Sequence, residues 1–318
     1  ERTKPVLNDL EIELNAAVLG QEEAVEAVAN TVRLCKRRLD LRPERPDGVF
    51  LFLGPSGVGK TALAEALARE LNGSDNALIR LDMSDYAEPH SVAKLIGSPA
   101  GYVGYGEEPL FLQGLRKNPN SVVLLDEFEK AHPDVHRLFL QVFDAGRFTD
   151  SRGEAYTLAN ATIIATANVG LASERNTLGF DLGHQNSAPD DICHYLENYF
   201  PVELINRFDE IVTFKQITAA LAAEILQNSI VAMANRNLGE RYNLCLTVKE
   251  CVEREVLAKG FSEKFGVRHL QRAFEDVVLE PLSKSLENLT GLSERKQEYS
   301  NLVVEVDEQG RVDFSVSK

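Results

Sequence analysis

The sequence predicts an α/β domain built on a parallel five-stranded sheet, followed by a smaller, mostly helical domain that ends in a β-hairpin. Three observations predict it. Five short apolar runs alternate with helical periods through the first two-thirds of the chain, a glycine-rich turn sits between one such run and a helix, and strand runs give way to helical patterns after Phe214. The boundary is therefore set at 214, with residues 1–214 forming the α/β part and 215–318 the helical part. A length of 318 residues agrees with about two domains.

The elements follow in chain order. Residues 21–39 place Ala24, Val25, Val28, Val32, Cys35 and Leu39 at three- and four-residue spacings, which predicts an amphipathic helix. Pro43 and Pro46 then break the chain. The run VFLFL at 49–53 is apolar without interruption and bounded by turn residues, as in a strand buried on both faces. A helix is expected over 60–71, and further strands over 77–81, 122–125, 161–166 and 211–214. Helices are expected over 218–238, 248–259 and 267–289, and a hairpin pairs 302–306 with 312–316 around Gly310. The polar, glycine-containing stretch 177–191 reads as an exposed mobile loop.

Composition narrows the function. Hydrophobic residues at 44% and charged residues at 26% describe a chain able to bury a core. The net charge of −15 argues against a surface that as a whole grips nucleic acid or an anionic membrane, and neither is expected as a partner. No run of 18 apolar residues occurs, and the first residues lack a signal-peptide pattern. The chain does not begin with Met, so it is expected to be a piece of a longer one. Its four scattered cysteines include no C-x-x-C pair, which predicts free thiols in the cytoplasm or an equivalent reducing compartment. A basic cluster of Arg33, Lys36, Arg37, Arg38, Arg42 and Arg45 reads as a solvated helix end whose cations complement the macrodipole. The alternative for it is a contact surface for an acidic neighbour or nucleic acid.

Two motifs carry chemistry. Gly54-Pro55-Ser56-Gly57-Val58-Gly59-Lys60-Thr61 fits G-x-x-x-x-G-K-[ST] and lies between a buried strand and a helix. Glycines there let successive N–H groups curl around one anion, and the helix start adds its positive end. Lys60 can reach the β- and γ-phosphates of a nucleotide, and the Thr61 hydroxyl can ligate Mg²⁺. The second motif, Val122-Val123-Leu124-Leu125-Asp126-Glu127, delivers two acids at the carboxyl end of a strand, where ligands of open α/β sheets bind. Asp126 suits Mg²⁺ and its waters. Glu127 suits the deprotonation of an attacking water. Together the motifs describe a nucleoside triphosphatase that needs Mg²⁺, with ATP and ADP the expected nucleotide pair.

Beyond these, the strings Val18-Leu19-Gly20-Gln21, Gly101-Tyr102-Val103-Gly104, Leu125 through Asp134 (LDEFEKAHPD) and Ile205-Asn206-Arg207 follow in that order. With the phosphate loop they resemble the second AAA+ module of Clp-type unfoldases, the 100-kilodalton heat-shock class, from about residue 14 to 282. The resemblance implies a P-loop AAA+ fold and several roles. Val18 and Leu19 would flank the adenine. Asn168 would be the first sensor, holding the attacking water. Arg207 would be an arginine finger acting on ATP in a neighbouring subunit, and Arg268 the second sensor, reaching the γ-phosphate from the helical domain. Tyr102 and Val103, a turn with a buried tyrosine on composition alone, would be a pore loop that grips unfolded or aggregated polypeptide inside a homo-hexameric ring. Residues 144–153 would form a second pore loop. Leu178-Gly179-Phe180 would dock on a Clp peptidase ring. The alternatives are a disaggregase working without a peptidase and, less favoured, an AAA+ machine acting on nucleic acid.

The chain departs from the family pattern in four places. Residues 200–204 read FPVEL where relatives have Phe-Arg-Pro-Glu-Phe, Val267 stands for Ala, Ala167 for Ser, and Pro109 and Phe111 replace a glycine pair. None removes a reactive group.

Overall fold

An apolar pentapeptide has to be covered on both faces, and the strand β1 (Val49–Leu53) is fully buried along its length. The computed structural model describes residues 3–73, 77–98, 108–168, 189–242, 244–262, 265–290, 300–306 and 312–317. In it β1 pairs in parallel with Thr162–Ala167 (β6) on one side and Glu210–Thr213 (β7) on the other. Val122–Asp126 (β3) and Leu78–Asp82 (β2) complete a parallel five-stranded sheet in the order β2-β3-β6-β1-β7. Each predicted strand is present, displaced by at most one residue at either end.

The chain divides into two compact units, 1–55 with 59–215, and 56–58 with 216–318. In the first, helix α1 (Thr3–Ala17) buries Leu7, Leu10 and Leu14, three positions on one helical face. The sequence reading did not assign this helix. Helix α2 (Glu22–Lys36) has Glu22 and Glu23 in its first turn and Arg33 and Lys36 in its last, matching the dipole at both ends. It stops three residues before the predicted end because Arg38 turns left-handed (φ 53°), and the N–H groups of Arg38 and Leu39 fold back onto the carbonyls of Cys35 and Leu34.

The basic cluster is only partly a solvated helix end: Arg37, Arg38 and Arg42 are exposed, but others are engaged. Arg33 pairs with Glu11 at 3.0 Å and Lys36 with Asp47 at 2.7 Å. Arg37 donates to Asn8 Oδ1 at 2.9 Å, and Arg45 is buried. These cations fasten α1 and the following turn to the body of the first unit, work that neither sequence reading assigned them.

Helix α3 (Lys60–Asn72) starts at the glycine-rich turn, and α4 (Val92–Ile96) and α5 (Leu110–Lys117) precede β3. Helix α6 (Pro133–Ala145) begins with Pro133, is capped by His132, and ends at left-handed Gly146. A small hairpin follows, β4 (Arg147–Thr149) with β5 (Ala155–Thr157); β4 falls within the stretch expected to be a second pore loop and β5 just after it. Phe128, directly after the β3 acids, meets Phe139 edge-on at 5.8 Å and stacks on Phe200 at 5.7 Å. That aromatic packing anchors the turn on which the acids sit.

The second unit is mostly helical. Ala219–Ile225 and Ala232–Tyr242 are joined by a π-helical stretch, Leu226–Val231, and Leu270–Phe274 and Glu280–Thr290 by another, Glu275–Leu279. Glu250–Gly260 lies between the two pairs. The predicted hairpin is β9 (Ser300–Val306) with β10 (Val312–Ser317). An unpredicted strand, β8 (Leu244–Val248), joins β9 in parallel and makes a three-stranded sheet. Asn235 fixes that strand, accepting from Leu246 N–H at 2.6 Å and donating to its carbonyl at 3.0 Å. Among the described residues no helix is long and apolar enough to cross a membrane.

Candidate nucleotide site

Parallel strands point their carboxyl ends one way, so the turns after β1, β3 and β6 emerge at one edge of the sheet. The loop after β1 holds Gly54, Pro55, Ser56, Gly57, Val58 and Gly59, and three of its glycines take positive φ: Gly54 at 151°, Gly57 at 77° and Gly59 at 106°. Such angles are open to glycine at little cost and curl the chain into an anion-binding concavity. A Cβ at Gly59 would stand 3.0 Å from Val18 Cγ1, so the α1–α2 turn presses on the loop from outside. That turn is fixed by buried Gln21, whose side chain donates to Lys215 O and accepts from Lys215 N–H, both at 2.9 Å. Val18 is buried and Leu19 half-buried.

Lys60 opens α3 and is 7% exposed. Its Nζ donates to Gly54 O at 2.6 Å, Pro55 O at 2.8 Å and Asn168 Oδ1 at 2.9 Å. All three acceptors are neutral, and burial pushes the ammonium down to about 8 although Glu129, Asp126 and Glu127 support its charge. A buried cation lacking a direct anionic partner, inside an N–H-lined loop, fits a phosphate. Thr61, half-buried, follows it.

The acids after β3 are held by three residues that carried no role in the sequence reading. Thr166 on β6 donates to Asp126 Oδ1 at 2.7 Å and accepts from the Glu127 N–H at 3.0 Å. Arg80 on β2 pairs with the other Asp126 oxygen at 2.6 Å. Lys130 pairs with Glu127 Oε2. Glu127 itself is left-handed, at φ 55°, which is uncommon for a residue with a side chain. Asn168 ties the groups together, donating from Nδ2 to Glu127 Oε1 at 2.8 Å while its Oδ1 accepts from Lys60. The Asn168 N–H donates to Glu129 Oε1 at 3.0 Å, and desolvation raises the Glu129 carboxyl above the usual carboxylate range.

Lys60, Asp126, Glu127 and Asn168 thus come together in one linked cluster. Among the described residues no group of three or more His, Cys, Asp or Glu side chains is arranged to hold a metal. A hydroxyl and one carboxylate, Thr61 and Asp126, are hard oxygen donors of the kind Mg²⁺ accepts alongside nucleotide phosphates, so the donor set fits that ion.

Arg207 lies elsewhere. It precedes β7, and Asp209 two residues on exchanges backbone and side-chain hydrogen bonds with Val49, at the amino end of β1. The cluster is at the carboxyl end, about 17 Å away along a five-residue strand. The Arg207 guanidinium pairs with Asp144 on α6, its Nε 2.9 Å from Oδ1. Arg268 belongs to the second unit, which also takes in residues 56–58, and its Nη1 is 3.2 Å from Ser56 Oγ. Tyr102 and Val103, and Leu178, Gly179 and Phe180, lie outside the described residues.

Comparison with known proteins accords with this site. Residues 45–211 match the family described as AAA domain (Cdc48 subfamily). Residues 217–299 match the C-terminal, D2-small domain, of ClpB protein. The chain is 43% identical to the chaperone protein ClpB of Aquifex aeolicus (strain VF5) over 285 residues, which are 87% of this chain and 28% of that protein. It is 41% identical over 279 residues to the ATP-dependent Clp protease ATP-binding subunit ClpE of Streptococcus pneumoniae serotype 4, covering 87% of this chain and 36% of that one. For the chloroplastic chaperone protein ClpD of Arabidopsis thaliana the identity is 41% over 291 residues, 88% of this chain and 30% of that one. The chain therefore spans only about a third of the length of these curated relatives. It belongs to the AAA+ ATPase family, as a Clp-type module of the second (D2) kind.

Proposed function

We propose that this module hydrolyses ATP and uses the energy to unfold and translocate protein substrates through the pore of a homo-hexameric ring. The observation that carries the reading is the bridge made by Asn168 between Lys60 and Glu127. It links the proposed phosphate-binding cation and the proposed base through one amide, which supports their acting on a single bound triphosphate.

In this reading residues 1–214 are the nucleotide-binding subdomain and 215–318 the small helical subdomain carrying the second sensor. The N–H groups of 54–61 and Lys60 hold the phosphates, with Val18 and Leu19 beside the adenine. Thr61 and Asp126 would hold Mg²⁺, which would offset charge on the phosphate oxygens. Glu127 takes the proton of water, and Asn168 orients both. Arg207, a sheet's length from its own loop, acts on the ATP of a neighbouring copy. Arg268 reaches the γ-phosphate and couples nucleotide state to the small subdomain.

Tyr102 and Val103 are proposed to grip the threaded chain, with residues 144–153 as a second pore element. Tyr102→Ala is expected to keep ATP turnover within about twofold, since this reading gives it no part in the chemistry, while unfolding of a tagged fluorescent protein falls at least about tenfold, as loss of a transmitting contact does when chemistry is intact. Unfolding at the normal rate would remove the pore assignment.

Leu178-Gly179-Phe180 are proposed to dock on a Clp peptidase ring, because an aliphatic-Gly-aromatic string within an otherwise polar stretch of sequence suits a partner's apolar pocket. Degradation of a fluorogenic protein by the mixed rings is expected to be lost in Leu178→Ala/Phe180→Ala. If it persists, the docking assignment is wrong; no degradation even by the unaltered module would instead favour disaggregation without a peptidase. The free thiols of Cys35, Cys193, Cys245 and Cys251 favour a reducing compartment such as the cytoplasm.

A further inference from the structure

Arg45, which the sequence grouped with surface cations, is the most deeply buried arginine among the described residues, at 5% exposure, and all three of its guanidinium nitrogens are committed. Nε donates to Phe143 O at 2.7 Å, Nη2 to Arg207 O at 2.6 Å, and Nη1 to Asp209 Oδ1 at 2.8 Å. The first two acceptors flank the Asp144–Arg207 ion pair, since Phe143 precedes Asp144 on α6 and the second carbonyl is that of Arg207 itself. One rigid plane therefore sets the separation between the helix end bearing Asp144 and the turn bearing Arg207. Asp209 extends the clamp to the sheet, its Oδ2 accepting from Val49 N–H at 2.9 Å. The fit is close: a Cβ at Gly146, where α6 ends, would lie 2.0 Å from Glu44 O, so the segment carrying Arg45 is pressed against the helix terminus.

We propose that Arg45 is a positioning residue for Arg207, fixing the backbone from which that side chain reaches a neighbouring copy's nucleotide. The proposal rests on the reading of Arg207 as a finger acting in trans. A planar fork suits the task because three acceptors lie around it in different directions. A lysine offers one compact ammonium and cannot span all three. Removing the clamp lets Arg207 and α6 drift independently, and a displacement of about 1 Å in a positioning group costs on the order of 10²-fold in rate.

The test uses the intact protein carrying Arg45→Gln, with Arg45→Lys as the milder change that keeps the buried charge facing Asp209. Thermal unfolding and ATP binding establish that each variant is folded. In the variants kcat is expected to fall between about tenfold and a hundredfold with KM for ATP unchanged, because the variant's own phosphate site is intact. The decisive arm mixes the Arg45 variant one-to-one with Glu127→Gln subunits, which cannot turn over ATP but carry a well-placed Arg207. Turnover of the mixture is expected to exceed the sum of the separate preparations by about fivefold or more, since correctly placed fingers then serve the variant's sites.

Unchanged kcat in the folded Arg45 variants, or no gain on mixing, overturns the proposal, because a defect confined to its own subunit is not a defect of a finger. Arg207→Ala in the same mixtures separates the underlying reading. If Arg207→Ala alone turns over ATP normally, the finger assignment itself is wrong, whatever Arg45 does.

Discussion

Glu127→Gln is expected to bind ATP and fail to hydrolyse it, with kcat reduced by about 10²–10⁴-fold, the range for losing a positioned general base. The replacement is nearly isosteric, and its amide oxygen can still accept from Asn168 Nδ2, which reaches the carboxylate at 2.8 Å in the native protein. What it loses is the ability to take a proton, together with the ion pair to Lys130. Steady-state phosphate release alongside binding of a fluorescent ATP analogue measures both halves. Turnover within about tenfold of the native protein would move the base elsewhere, and the nearest alternative is Glu129, which holds the Asn168 backbone.

Lys60→Ala is expected to abolish useful affinity for ATP, by about 2–5 kcal/mol, the penalty for truncating one partner of a buried, hydrogen-bonded charge pair. The lysine's own titration adds a pH signature. Its ammonium sits at about 8 in the ligand-free protein against an ordinary 10.5, because burial disfavours the charge. Between those two values the unfolded chain holds a proton that the folded one does not. Stability of the ligand-free protein therefore gains from Lys60 as pH rises through that window. ATP works in the opposite direction, since a triphosphate favours the charged form. Affinity is expected to be level below about 8 and to fall above it, by up to about tenfold per pH unit. A binding titration at pH 7 and pH 9 checks this; equal affinities would mean that Lys60 does not face the phosphates.

Much of this was readable in the residues. A fully buried parallel strand must be apolar throughout, so 49–53 and 122–125 announced themselves, and the two acids ending β3 were conspicuous against that background. The phosphate loop was legible because its glycines and its Lys60-Thr61 pair are all fixed by chemistry. Thr166 and Arg80 were not, since each acts by facing a partner on another strand, and one-dimensional spacing carries no such information. Strand β8 went unassigned for a similar reason: its ladder partner lies more than fifty residues away at β9. Arg45 was misassigned outright. In sequence it is one of six neighbouring cations, and only its burial distinguishes it from Arg42, which is exposed.

The placement of Arg207 at the amino end of the sheet, with the phosphate loop at the carboxyl end, makes the molecule polar. If Arg207 serves a neighbouring copy's nucleotide, as proposed, repeated front-to-back addition completes a cleft at every junction. Each added copy then exposes the same unsatisfied face as the one before it, so growth halts only when the last copy meets the first.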